Sequence, residues 1–220
     1  FFNDGVWQKP NPINGSVNTN KDDIVNNLSY DGTRILLHKD NDGQLDIYES
    51  VLNGAKWGPA EILPRQISTP QVNETYASYN HDGYNIYFAR DSETRSNGYD
   101  IMYSGMRSKI EKNFGVATMV SEVNTKFNDG PIYLAIDGKT MFMASEGHES
   151  LGGYDIFVSY RDQGTWTKPK NLGYPINTPY DDFFFAATAN GKYAYVASNR
   201  AGGEGGYDIY KVTFWGTAKE

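Results

Sequence analysis

The chain has 220 residues, with 20 Lys plus Arg against 27 Asp plus Glu, three His, no Cys and a net charge of −7. That balance leaves no basic stripe for a nucleic-acid backbone, and without cysteine there is neither a disulfide framework nor a thiolate metal site. No apolar run approaches the roughly 18 to 20 residues of a membrane span, and a start at Phe1 without Met or a signal-like stretch reads as a mature or excised piece of something longer.

In chain order, the first strand-like segment is Val6 to Ile13, led by Trp7. Then one pattern recurs four times. An acidic or amide pair (Asp22-Asp23, Asn73-Glu74, Asn128-Asp129, Asp181-Asp182) opens a first strand, over Ile24 to Tyr30, Thr75 to His81, Ile132 to Ile136 and Phe183 to Ala189. Each runs into Asp31-Gly32, Asp82-Gly83, Asp137-Gly138 or Asn190-Gly191, a hairpin signal because Gly accepts positive φ and Asp or Asn caps its own turn. The second strand is the most apolar: Ile35 to Leu37, Ile86 to Phe88, Met141 to Met143 and Ala194 to Val196, as in strands buried on both faces. A third strand carries Asp46-Ile47-Tyr48, Asp100-Ile101-Met102, Asp155-Ile156-Phe157 and Asp208-Ile209-Tyr210, so Tyr48, Met102, Phe157 and Tyr210 are expected in the core. Trp57, Phe114 and Trp166 open a fourth strand in three copies, and Ser108 to Phe114 reads as a short turn. Pro131 falls at the start of a first strand, where no ladder donor is required.

A period of 51 to 57 residues built of strand-sized pieces marks an all-β repeat array, here a four-bladed propeller. Blades are expected at about 18–66, 67–121, 122–174 and 175–214 of one domain spanning 1–220. The fourth copy has no room for an outer strand after Asp208. Residues 6–13 are therefore expected to supply it, pairing with Tyr207 to Phe214 and closing the ring.

The lead-ins Asn177-Thr178-Pro179-Tyr180-Asp181-Asp182 and Asn18-Thr19 to Asp23, with the Gly-Tyr-Asp-Ile-Tyr unit, resemble the WD-like repeats of TolB-type β-propellers. The pattern is similar to that of propeller domains of Bacteroidota envelope proteins of the OmpA family, including the peptidoglycan-associated subunit of the type IX secretion system. The resemblance implies a periplasmic, outer-membrane-associated protein-interaction or scaffold module, with flanking domains and envelope protein partners. It does not carry peptidoglycan binding over, since no OmpA-like domain is present in these residues. The second unit keeps only Ser68-Thr69 and Asn73-Glu74 of the lead-in.

Asp23, Glu74, Asp129 and Asp182 open the inner strands and are expected to ring one mouth of the channel, in water. No cofactor is expected. Calcium or another cation, or a basic group of a partner, would sit at that ring. Because the four positions are equivalent, a structural job outweighs the rival reading, a carbohydrate-active enzyme or lectin-like binder with carboxylates at the mouth. Two acids in an open cleft with aromatic platforms would favour the enzyme; a mouth filled by side chains would favour the scaffold.

Asp40 to Glu49 resembles a calcium loop, yet its Asp46-Ile47-Tyr48 already belongs to the repeat, and a solvated hairpin loop is the better reading. The three histidines lack zinc spacing, no G-x-S-x-G elbow occurs, and Gly202 to Gly206 lacks the helix and Lys of a phosphate cradle. Long loops at Arg90 to Gly98, Ser145 to Gly153 and Ser198 to Gly206 share the face of the acids, which places Arg95, His148, Glu149, Arg200 and Glu204 as candidate partner contacts.

Overall fold

The computed structural model describes residues 2–3, 6–9, 11–13, 17–20, 23–91, 98–108, 111 and 113–214, with the side chains of 2, 3 and 7 outside the description. It is all β: four antiparallel sheets stand as the blades of a propeller, and no helix occurs among the described residues.

Blade 1 consists of Asp23–Leu28, Arg34–Asn41, Gln44–Asn53 and an outer strand in two pieces, Lys56–Trp57 and Glu61–Ile62. Blade 2 has Glu74–Tyr79, Asn85–Asp91, Tyr99–Ser108, Asn113–Phe114 and Thr118–Met119. Blade 3 has Asp129–Leu134, Thr140–Ser145, Asp155–Asp162, Thr165–Trp166 and Lys170–Asn171. Blade 4 has three strands, Asp182–Ala187, Tyr193–Ser198 and Asp208–Thr213. Pro59 and Pro169, which have no N–H to give a ladder, fall in the breaks of their outer strands.

The second strands are buried on both faces, as their apolar runs require: Leu36, Leu37, Ile86, Phe88 and Met141 are fully buried. Their alternation divides the core between blades. Leu36 and Ile47 of blade 1 pack with Ile86 and Phe88 of blade 2. Tyr87 and Ile101 of blade 2 pack with Met141 and Met143 of blade 3, and Ile156 of blade 3 with Ala194 and Val196 of blade 4. Of the expected core positions, Phe157 is buried, while Tyr48, Met102 and Tyr210 are half-buried. Every first strand carries a bulge, at 25–27, 75–78, 129–132 and 183–185. Pro131 lies inside the third bulge rather than at the strand start, because that strand begins at Asp129.

The closing strand is corrected. Val6–Trp7 pairs with Phe2–Asn3, in the register Phe2 with Trp7. Among the described residues, the third strand of blade 4 pairs with Tyr193–Ser198 alone. The N-terminal hairpin repeats the backbone pairing seen at Leu52 with Trp57 and at Arg161 with Trp166. The outer flank of blade 4 is left open as a result: Ile209 is 78% exposed, against 0% for Ile47, Ile101 and Ile156. Blade 1 and blade 4 face each other across a cleft of about 480 Å³, lined by Val25 and Leu28 on one side and Phe184, Tyr195 and Ile209 on the other.

Candidate functional site

The four acids open the inner strands as expected, but they do not stand in water. Glu74, Asp129 and Asp182 are 0% exposed and the side chain of Asp23 is 7% exposed. Each carboxylate turns back into its own lead-in and accepts the backbone N–H of a Thr: Thr19 to Asp23, Thr69 to Glu74 (3.1 Å), Thr125 to Asp129 (2.5 Å) and Thr178 to Asp182 (2.5 Å). The neighbouring second strand or the loop after it supplies the rest. Lys39 Nζ lies 3.1 Å from Asp23, Arg90 Nε 2.9 Å from Glu74 and Arg200 Nη2 2.5 Å from Asp182, whereas Asp129 receives only the Ser145 hydroxyl at 2.6 Å.

The acidities follow these surroundings. Burial pushes Glu74 up to about 7 in spite of the Thr69 amide and Arg90, and it raises Asp129, which has no cation of its own. Burial would raise Asp23 too, but the Thr19 amide and Lys39 bring it below the usual carboxylate range. No group of three or more His, Asp or Glu side chains with metal-holding geometry occurs among the described residues.

The residue before Glu74, Asp129 and Asp182 reaches backwards to the preceding blade. Asn73 accepts the N–H of Leu45 (2.9 Å), Asn128 that of Tyr99 (3.0 Å) and Asp181 that of Tyr154 (3.0 Å). The polar residue ahead of the Thr does the same one residue pair further on. Asn124 and Asn177 each hold both the N–H and the C=O of an isoleucine in the preceding blade, Ile101 and Ile156, at 2.7 to 3.0 Å. Ser68 does this for Ile47 at 3.2 and 3.3 Å. The Asn-Thr-x-x-Asp-Asp motif is therefore a rivet: two side chains fasten the previous blade, and the final acid ties the turn that presents them.

The loop residues divide. Arg200 is not a free contact: it donates to Asp182, to the carbonyls of Pro175 and Ile176 and to Ser198, and lies over the Tyr210 ring at 4.7 Å. His148 Nε2 donates to the Val123 carbonyl at 2.7 Å, with its ring 5.5 Å from Phe157. Glu149 and Glu204 are exposed, the latter with its N–H on Asp208. Arg95 lies outside the described residues. In the segment resembling a calcium loop, Asp40 accepts the Gly43 N–H of a tight turn at 2.6 Å. Glu49 sits 2% exposed in the interior beside Arg34 and Tyr79, so the would-be ligands diverge.

What fills the mouth is aromatic. Tyr76 and Phe184 occupy inner-strand bulges at φ 53° and 40°, a conformation costly for bulky residues, which directs both rings to the axis. Tyr76 meets His38, Tyr99, Phe183 and Phe184 at 5.4 to 6.2 Å between centroids, and Phe183 meets Tyr154 and Tyr207 at 4.7 and 6.1 Å. This plug draws on all four blades. Burial raises Tyr76 to about 12 and lowers His38 to about 4, so neither is charged near neutrality. Sequence reasoning did not nominate these rings, although a signal was there: Tyr99, Tyr154 and Tyr207 all precede an Asp-Ile pair.

No protein family's signature matches the chain, and neither does any curated protein. Solved structures do. TolB from Acinetobacter baumannii superimposes with a TM-score of 0.57 at 15% identity, over 83% of this chain and 39% of that one. A putative TolB from Agrobacterium tumefaciens gives 0.52 at 14%, over 84% and 62%, and a puromycin hydrolase gives 0.50 at 10%, over 84% and 26%. The fold is thus that of a TolB-type β-propeller, and the chain spans less than two thirds of each of these structures.

Proposed function

We propose that the chain is a non-catalytic protein-interaction or scaffold module of a bacterial envelope protein, periplasmic and outer-membrane associated, working within a secretion assembly. The observation that carries this reading is the mouth itself. The acids that would serve a glycosidase are consumed by lead-in turns, and side chains of four blades fill the opening where a substrate would sit. The likeness to TolB structures supports the scaffold reading at the level of fold, while the puromycin hydrolase shows the same fold in an enzyme. Exposed Tyr207, Leu151 and Glu149 on the loop face are where partner contacts are placed.

A photo-reactive residue at Tyr207 or Leu151 in the parent protein should cross-link an envelope protein, and one at Lys139 on the opposite face should not. Cross-links from Lys139 alone would move the interface. The second reading, a lectin-like binder, rests on the exposed Tyr207 ring beside the plug. A glycan array separates the two, since the scaffold reading expects no saturable sugar binding.

A further inference from the structure

The aromatic plug fills the mouth, yet its tyrosines keep polar ends that the fold does not use. Tyr99, Tyr154 and Tyr207 hold one repeat position on three blades, and the inner-strand bulge of blade 2 adds Tyr76. Tyr76, Tyr99 and Tyr154 are half-buried, and Tyr207 is 52% exposed. The Tyr207 hydroxyl donates to Asp181 at 3.2 Å. The hydroxyls of Tyr76, Tyr99 and Tyr154 bond to no described residue, and none of the three is sealed from water.

The surroundings of these hydroxyls are negative. Burial comes first in raising the acidity constants of all four phenols, and charge adds to it: Asp91 at Tyr99, Glu146 and Asp129 at Tyr154, Asp181 at Tyr207. Tyr99 and Tyr207 also act on Tyr76, and Tyr76 and Tyr99 on Tyr154, so the four oxygens lie within electrostatic reach of one another. The basic side chains of this face are engaged elsewhere. Lys39, Arg90 and Arg200 pair with Asp23, Glu74 and Asp182, and they lie over Tyr48, Phe88 and Tyr210. Among the described residues no cation lies over a mouth tyrosine.

Electron-rich ring faces, unbonded phenol oxygens and nearby carboxylates suit a group that is positive, planar and rich in N–H. A guanidinium has all three properties. A neutral sugar gains nothing from the charge, and a quaternary ammonium has no N–H for the phenol oxygens. We propose that the tyrosine mouth receives an arginine side chain of the partner protein, its guanidinium on the exposed Tyr207 ring and its N–H groups on the phenol oxygens beside it. This rests on the scaffold reading in taking the loop face as the contact surface, and it names the chemistry that the partner brings there.

The test titrates an acetylated, amidated glycyl-arginyl-glycine peptide into the full chain, with isotope-labelled tyrosine rings followed by NMR. Saturable shifts are expected at Tyr99, Tyr154 and Tyr207. Citrulline in place of arginine keeps the shape without the charge and should bind about tenfold more weakly, the share of one cation–π contact. Tyr207→Leu, at an exposed position, should cost the arginine peptide about the same factor while the melting curve stays in place. Tyr154→Phe keeps the ring, removes a hydroxyl the fold does not use, and should weaken binding by a smaller factor. No saturable shift, equal binding of the arginine and citrulline peptides, or binding indifferent to both substitutions overturns the proposal. Arg95→Ala separates the chain's own arginine from an external one. Unchanged affinity for the peptide supports the proposal, whereas a gain of about tenfold means that Arg95 holds the mouth, and overturns it. Cross-links from Leu151 to an envelope protein do not depend on these rings, so the scaffold reading stands or falls separately.

Discussion

Asp129 and Asp182 occupy the same repeat position, yet replacing each by its amide should have different consequences. In Asp129→Asn the side-chain carbonyl would keep the Thr125 N–H, the new NH2 would donate to the Ser145 hydroxyl, which can turn to accept, and no cation would be stranded, so this variant should stay within about 1 kcal/mol of the parent. Asp182→Asn leaves Arg200 without its charge partner in a largely buried setting, and a loss of about 1 to 3 kcal/mol is expected by urea denaturation. The pH dependence has a definite sign. Glu74 in the folded chain binds its proton near 7, above the ordinary value of 4.5, so the folded state holds more protons in between and stability falls as pH rises through that window. Glu74→Gln should flatten this slope when melts at pH 5 and pH 7.5 are compared. Strain can be tested at Phe184: with φ at 40°, Phe184→Gly should be more stable than Phe184→Ala by about 1 kcal/mol, although both lose the ring. At this scale the sequence placed the four acids at the starts of the inner strands but assigned them surroundings of water where the structure buries them. Spacing along a strand says where Asp182 begins it but not that Thr178 lies close enough to claim the carboxylate.

Among the elements, the lead-ins carry the junctions, and their clamps are open to a direct comparison. Asn177→Ala would leave the N–H of Ile156 unmet in a dry junction, while its carbonyl keeps the Leu172 N–H, and a loss of about 1 to 3 kcal/mol is expected. Asn18→Ala removes an exposed amide and should change stability by less than about 0.5 kcal/mol. Equal losses in thermal melts of the two variants would mean that Asn18 has a partner after all. The motif was legible because it repeats. Its job was not, because a linear pattern cannot show that Asn128 serves Tyr99 of the blade behind while Asp129 serves its own turn. The outer strand at Trp7 was misjudged for a related reason: its likeness to Trp57 is real, but Trp57 is itself half of a local corner with Leu52, and Phe2 offers Trp7 the same pairing. Tyr99, Tyr154 and Tyr207 escaped notice because nothing in one dimension tells that Phe183 will gather two of them and Tyr76 the third.

Over the whole molecule, the architecture followed from the Asp-Gly and Asp-Ile punctuation, since two independent signals kept the same phase through four copies. What the phase could not reveal is that, among the described residues, the third strands of blades 1 to 3 are each clamped by the next lead-in and that of blade 4 is not. Hydrogen exchange should report it. The amides of Ile101 and Ile156 are held in the completed junctions and should be protected, while Ile209 and Lys211, on the uncovered side of the last strand, should exchange at least a hundredfold faster. Comparable protection at Ile209 would show that something covers it in solution.

The rivets all point one way along the chain, each lead-in gripping the blade before it. Under a pulling load this makes the molecule a directional latch. Tension on the C-terminal end first meets a strand with one neighbour and no clamp, and it peels Asp208–Thr213 from its partner before any junction is loaded. Only when the pull passes Asp181 and Asn177 does it reach the grip on blade 3, and there the resistance should jump. Drawn from that end, the protein should yield in a staircase, one blade to a step, with the weakest step first.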